Sequence, residues 1–471
     1  MDQIPYDVES AAAALRDGAC SSVELTEACL ARADAFDEQV GTYLARFDES
    51  ALAAAATADA ELAAGVDRGP MQGIPIGMKD ILAMSEGPTT ANSLVLDPAW
   101  GAGKDGPVVR RLKDAGAVIT GKVVTSEFAI GSPDESKPFP TPRNPWNLAT
   151  TPGGSSAGTG NGIAAGFFLA GIGTDTGGSI RIPAAFNGTS GLMPTFGRVP
   201  KSGCVPLGFT LDHIGPLAHS AWDCAAMLQV IAGYDPSDPN CVDRPVPDYA
   251  ATLEGGVAGL RIGVMHEGHF PDGSDPNALT AFDDALAELA SLGAELVEVN
   301  IPYYGEVVAA CMITMLSEAY AYHRNDMVSR WGDYYERTRG LVSWASLIQS
   351  NDYVQAQRVR RVGQEALAGV FAGVDVIATP TASIGAPYEV DFASTDKAFG
   401  DLMTKVHTFY WDAVGNPVLV VPMGFGDGGM PLSLQLAGRP FDEATLLRVG
   451  RAYQGATTWH TAVAELVPVA A

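Results

Sequence analysis

Serine, lysine and glycine are the residues of this chain whose placement suggests chemistry. From Thr151 to Pro183 the sequence reads TPGGSSAGTGNGIAAGFFLAGIGTDTGGSIRIP, a run dense in glycine with serines at 155, 156 and 179. Glycine weakens helices and strands, so this density marks a backbone that must approach something closely. A serine hydroxyl is a weak nucleophile and needs a base. The chain has only eight lysines, and one of them, Lys79, ends the apolar stretch GIPIGMKD. Desolvation there pushes a lysine pKa down and lets the side chain act as a neutral base. The segment Thr176-Gly177-Gly178-Ser179 presents successive backbone N–H groups unobstructed by side chains, which is how an oxyanion hole is built.

Other chemistries fit less well. A phosphate loop needs a lysine directly after its last glycine, and none occurs between Lys137 and Lys201. No acidic residue closes a tight βαβ unit for a dinucleotide fold. Asp175-Thr176-Gly177 spells the loop of an aspartic protease, but that mechanism needs two such carboxylates and no second copy exists. Gly154-Ser155-Ser156-Ala157-Gly158 matches a nucleophile elbow and would make Ser156 the nucleophile of an α/β-hydrolase-like esterase. An elbow follows a buried strand, whereas RNPWNLATTPG precedes this one and reads as loop. The Ser394–Lys397 pair has penicillin-binding spacing but sits in polar sequence without the partner motifs, and chance accounts for it. HEGH at 266–269 has the wrong spacing for a zinc helix and reads as a loop after a strand. No metal and no cofactor are expected.

The elements that would position these residues alternate between helix and strand. The first 65 residues are alanine-rich and read as helical, with Ser21 and Glu24 at capping-box spacing. In GIPIGMKD, Ile74, Ile76 and Met78 alternate with Pro75, Gly77 and Lys79, which predicts a strand with Lys79 facing away from the isoleucines. GPVVRRLKDAGAVITGKV reads as helix then strand, and GLRIGVM, PNALTAFDDALAELASLG and AELVEVNIP repeat the alternation. Further strands are expected at VDVIATP and on both sides of the turn DGG, before the helix DEATLLRVGRAYQ. With strands drawn from both ends and no low-complexity linker, the expectation is one α/β domain over residues 1–471. It comprises a helical segment 1–65, a core 66–220 holding the serines and lysine, and a remainder 221–471. The sheet is expected to be single, large, mixed and mostly parallel, with helices on both faces.

Composition narrows the partners. Hydrophobic residues are 47% and charged residues 18% of the 471, with a formal net charge of -26. That acidity argues against nucleic acid or an anionic membrane surface. No secretory leader is visible, the longest apolar stretch falls short of a bilayer, and the six cysteines are scattered without a CxxC pair. A reduced, cytoplasmic protein is expected, monomeric or homodimeric.

GGSSAG followed by GTDTGGSIRIPAAF resembles the hallmark of the amidase signature family, serine hydrolases with a Ser–cis-Ser–Lys triad. Ser155 and Ser179 stand 24 residues apart, as that pattern requires. GIPIGMKD resembles the family's lysine motif. GRVP, LDHIGPLA and the C-terminal GNPVLVVPMGF, MPLSLQLAGRPFDEATLLRVGRAYQ and TWH follow in the family's order, over roughly residues 65–460. A departure is Met193, where lysine is more usual before Pro-Thr.

The resemblance implies that Ser179 is the acyl-forming nucleophile, Ser155 the bridging serine, joined by a cis peptide to Gly154, and Lys79 the base. Thr176, Gly177, Gly178 and Ser179 would line the oxyanion site, with the Ala129 backbone facing substrate. Ser156 would support Ser155, and Asp175 and Arg181 would form an ion pair holding the loop. Within the family's range, the aromatic and apolar side chains of YYGEVVAACMITMLSEAYAYHRNDMVSRWG (303–332) and HTFYWDAVGNP (407–417) tilt the expected substrate toward a small, uncharged amide, anilide or carbamate, which makes an aryl acylamidase or urethanase activity an expectation. A glutaminase-type component of an amidotransferase is the alternative within the family, and the esterase using Ser156 the alternative outside it.

Overall fold

Eleven short runs rich in β-branched and aliphatic residues form strands: β1 Tyr43–Arg46, β2 Pro75–Lys79, β3 Val118–Val123, β4 Ala170–Asp175, β5 Ser190–Met193, β6 His213–Ala218, β7 Arg261–Val264, β8 Glu295–Glu298, β9 Val376–Pro380, β10 Val418–Phe425 and β11 Pro431–Gly438. In the computed structural model, which describes residues 5–389 and 396–467, they join in one sheet of order β1-β3-β2-β4-β6-β5-β10-β11-β9-β7-β8. The sheet is mixed, as expected, but parallel pairing is less extensive than "mostly parallel". It is confined to the blocks β3-β2-β4 and β9-β7-β8. The other six pairings are antiparallel. Helical crossovers produce the parallel blocks, whereas the turn at 427–429 folds β10 back on β11, so that pair must be antiparallel.

Helices pack on both faces. Alternate residues of β10 enter different cores: Leu419, Val421 and Met423 join one cluster, while Val418 and Val420 join two others. The capping box forms as the spacing predicts. Ser21 Oγ accepts from Glu24 N at 3.1 Å, and Glu24 Oε2 accepts from Ser21 N at 2.8 Å, opening the helix Ser22–Val40. The first 65 residues are not wholly helical, because Tyr43–Arg46 pairs as an edge strand with β3. HEGH is a loop after β7. Ser394 lies outside the described residues, and so does the side chain of Lys397. No helix among the described residues is long and apolar enough to cross a membrane. All six cysteines are free.

For the chemistry, the decisive feature is the parallel block β3-β2-β4. Met78 pairs with Ile172 and with Lys122, so Lys79 and the β4 residues Thr174 and Asp175 emerge together at the carboxyl ends of adjacent strands. Ligand sites in parallel sheets form at that edge.

Candidate active site

All five residues of β2 are buried, because the sheet is covered on both faces. Ile76 and Met78 enter one hydrophobic core, while Lys79 leaves from the other side of the strand. Its Nζ lies 2.7 Å from Ser155 Oγ, 2.9 Å from Ser156 Oγ and 2.8 Å from Thr174 Oγ1. Three hydroxyls surround the amine, and no carboxylate pairs with it among the described residues. Burial is the main cause that lowers its pKa, to about 7, against weaker opposing contributions from Cys204, Asp175 and Asp212.

The serines are presented by loop, not strand. No strand leads directly into Ser155, whose peptide bond to Gly154 is cis, and the helix Ala157–Ala165 begins just after Ser156. Ser156 is fully buried; its Oγ accepts from Thr174 N at 3.2 Å and lies 3.3 Å from Thr174 O. It is absent from the lining of the cavity described below. The elbow geometry required for a Ser156 nucleophile is therefore missing, and its hydroxyl braces Lys79 against β4. Gly173 makes room for it, since a Cβ there would come within 2.8 Å of Ser156 Oγ.

Beyond β4 the chain turns under Ser179. Asp175 Oδ1 accepts from Gly178 N at 2.5 Å, and Oδ2 accepts from Ile180 N at 3.1 Å. Arg181 donates to both oxygens at 3.0 Å and, through Nη2, to Asp412 Oδ2 at 2.5 Å. All three side chains are fully buried. Burial raises Asp175, but the Arg181 charge outweighs it and holds the carboxyl well below its usual range. Asp412 goes the other way: burial and the neighbouring Asp175 raise it well above that range, more than Arg181 lowers it. Gly178 has a φ of 126° and lies against the Thr408 hydroxyl, a conformation and a contact that a side chain would not permit.

Ser155 and Ser179 open onto a cavity of about 120 Å³, and Ser179 is only partly buried. Gly177 and Ala129 also line it, but Thr176 and Gly178 do not. The Gly178 N–H is already committed to Asp175, and the Thr176 hydroxyl donates to Asp212 at 2.7 Å. Of the expected oxyanion set, Gly177 and Ser179 are therefore the residues that face the cavity. Ala129 sits in the left-handed region (φ 63°) and its N–H donates to Ser126 O at 2.8 Å, so its carbonyl and methyl are what it can present.

Sequence reasoning missed Thr174 and the part Asp412 plays, and placed the cavity walls only by segment, at 303–332 and 407–417. Thr174 lies inside the glycine-rich run and could have been found only with the register of β2 on β4. The walls come from distant elements: Met312, Met315 and Leu316 of the helix Tyr304–Ser329, Tyr335 and Leu341 beyond it, and Phe409. Asp134 is the only charged side chain in the lining among the described residues. No group of three or more metal-ligating side chains occurs among those residues.

The family model described as Amidase matches residues 24–447. The chain is similar to a glutamyl-tRNA(Gln) amidotransferase subunit from Geobacter metallireducens, with 39% identity over 468 residues, 94% of this chain and 95% of that one. It is 41% identical to a protein of Pseudomonas putida named Amidase over 454 residues, 95% of each chain. The native peptide amidase of Stenotrophomonas maltophilia superposes with a TM-score of 0.81 at 30% identity, over 96% of this chain and 98% of that one.

Proposed function

Because the chain belongs to the amidase family of hydrolases acting on C–N bonds, we propose that it cleaves an uncharged small amide, anilide or carbamate through an acyl-enzyme on Ser179. The observation that carries this reading is the buried amine without a carboxylate partner among the described residues: Lys79 Nζ stands 2.7 Å from the Oγ of Ser155, which lines the cavity together with Ser179. Neutral Lys79 takes the Ser155 proton as Ser155 takes that of Ser179, whose Oγ adds to the carbonyl carbon. The Gly177 and Ser179 N–H groups hold the resulting oxyanion. As the tetrahedral species collapses, the proton returns through Ser155 to the leaving nitrogen and the C–N bond breaks. Water then attacks the acyl-enzyme by the same relay, releasing the acid and restoring Ser179. Ser156 and Thr174 position the amine, and Asp175 with Arg181 holds the loop.

The lining supports an uncharged substrate. An α-carboxylate calls for an arginine or lysine in the pocket, and none occurs in it among the described residues. Three methionine side chains (Met312, Met315 and Met403) give walls that adapt to aryl or alkyl groups. The reading takes the chain as a single domain working without a partner chain, which the continuous sheet from β1 to β11 favours. A second reading, a glutaminase-type component of an amidotransferase, is favoured by the names of several relatives.

A fluorophosphonate probe followed by peptide mapping tests the first reading. Label should appear on Ser179 and vanish in Ser179→Ala, with anilide and carbamate hydrolysis reduced at least about 10³-fold. Label on Ser156, or turnover retained in the variant, refutes the assignment. Glutamine hydrolysis at a kcat/KM above that of neutral anilides selects the second reading.

A further inference from the structure

One wall of the cavity carries a polar group that the proton relay does not use. Asn92 lines the cavity and is 3% exposed. Its backbone is left-handed (φ 54°), and its N–H donates to Thr90 Oγ1 at 3.0 Å. Nδ2 donates to the Tyr335 hydroxyl at 3.0 Å, while Oδ1 is buried without a hydrogen-bond partner among the described residues. Tyr335 is itself anchored, its N–H donating to Glu127 Oε2 at 2.8 Å; Glu127 Oε1 accepts from Ser93 Oγ at 2.6 Å. The carboxamide is thus fixed at one end and unsatisfied at the other. Buried carbonyl oxygens nearly always accept a bond.

The wall is close to the reacting serines. Phe128 N donates to Ala91 O at 3.0 Å, and Ser126 N donates to Ser155 O at 3.1 Å. Residues 91–92, 126–129 and 155 therefore lie side by side.

We propose that Asn92 is a specificity-determining residue whose Oδ1 accepts the hydrogen of the scissile N–H, so that the site selects secondary amides and N-monosubstituted carbamates over esters and tertiary amides. This rests on the reading of Ser179 as nucleophile. An ester oxygen would set lone pairs against Oδ1, and a tertiary amide would set carbon there. A site built to bond a substrate N–H rejects analogues that lack it, because its buried acceptor then stays unpaired. Holding the N–H also turns the nitrogen lone pair of the tetrahedral species toward Ser155, which returns the proton. Tyr335 acts through Asn92 as a positioning residue.

The test compares kcat/KM for an anilide, its N-methyl analogue and the matching phenyl ester across wild type, Asn92→Gly, Asn92→Asp and Tyr335→Phe. Glycine takes a φ of 54° freely. Aspartate also tolerates it, and keeps an acceptor while losing the donor. In Asn92→Gly the anilide-to-ester ratio should fall about tenfold or more, and the anilide should lose its preference over the N-methyl analogue. Asn92→Asp should keep the wild-type ratio, and Tyr335→Phe should lower it by a smaller factor. Equal losses on anilide and ester in Asn92→Gly, or loss of the ratio in Asn92→Asp, overturn the proposal. Those outcomes leave the nucleophile untouched, since Ser179→Ala would still be dead; an active Ser179→Ala overturns the underlying reading instead.

Discussion

Lys79 and Lys122 lie on adjacent strands, both buried, and differ in what surrounds the amine. Lys122 Nζ sits 3.1 Å from Asp80 Oδ1 and donates to Leu82 O at 2.6 Å and Thr89 Oγ1 at 2.9 Å, an ion pair that fastens β3 to the loop after β2. Around the Lys79 amine stand three hydroxyls and, among the described residues, no carboxylate partner. Its pKa of about 7 sets the sign of the pH dependence: the base works neutral, so kcat/KM should fall tenfold per unit below pH 7 and level off above it. In Lys79→Ala that ionisation should disappear, with a larger loss on an amide than on an activated ester, because the amine leaving group needs the returned proton. Profiles from pH 5 to 10 on a matched pair decide it. An unchanged ionisation in the variant excludes Lys79 as the shuttle.

Between elements, the Asp175–Arg181–Asp412 cluster joins the end of β4, the turn under Ser179 and the helix Phe409–Val414. Arg181 Nη1 also donates to Thr408 O at 2.8 Å, next to the Thr408 hydroxyl that donates to Gly177 O at 2.6 Å. One cation faces two carboxylates in a dry interior, so burial and mutual repulsion raise the Asp412 carboxyl while Arg181 lowers that of Asp175. Arg181→Met strands the Asp175 charge and should cost about 3–5 kcal/mol of stability. Asp412→Asn puts a neutral isostere at the carboxyl whose ionisation burial disfavours and should cost less, about 1 kcal/mol. Urea unfolding midpoints compare the two. Equal losses would mean that Asp412 is ionised.

At the scale of the whole molecule, net charge and cavity act on substrate in the same direction. A formal charge of -26 repels anions over a Debye length, about 10 Å at 0.1 M salt. Asp134, the single charged lining residue among those described, opposes them at short range. An anilide carrying a carboxylate should therefore show kcat/KM at least about tenfold below its neutral methyl ester analogue. The gap should narrow as salt rises from 0.02 to about 0.5 M. Initial rates over that range test it, and an anionic substrate that outperforms the neutral one at low salt contradicts it.

Much of the site was legible locally. The glycine-rich run, the two spaced serines and a lysine ending an apolar strand each have a chemical meaning that short-range sequence can carry. The capping box at Ser21 and the loop before Ser155 were readable for the same reason. Pairing direction was not, because a strand's residues look alike whether its neighbour runs parallel or antiparallel; the antiparallel centre of the sheet was decided by tertiary connections. Nor could the sequence say which N–H groups were free. Gly177 and Gly178 are identical residues, and only the folded position of the Asp175 carboxylate commits one and leaves the other on the cavity wall. Asn92, Tyr335, Met312 and Phe409 are scattered over more than three hundred residues, roughly two thirds of the chain. Their meeting follows from the packing of helices and loops across the carboxyl edge of the β3-β2-β4 block, a long-range event that no local spacing encodes.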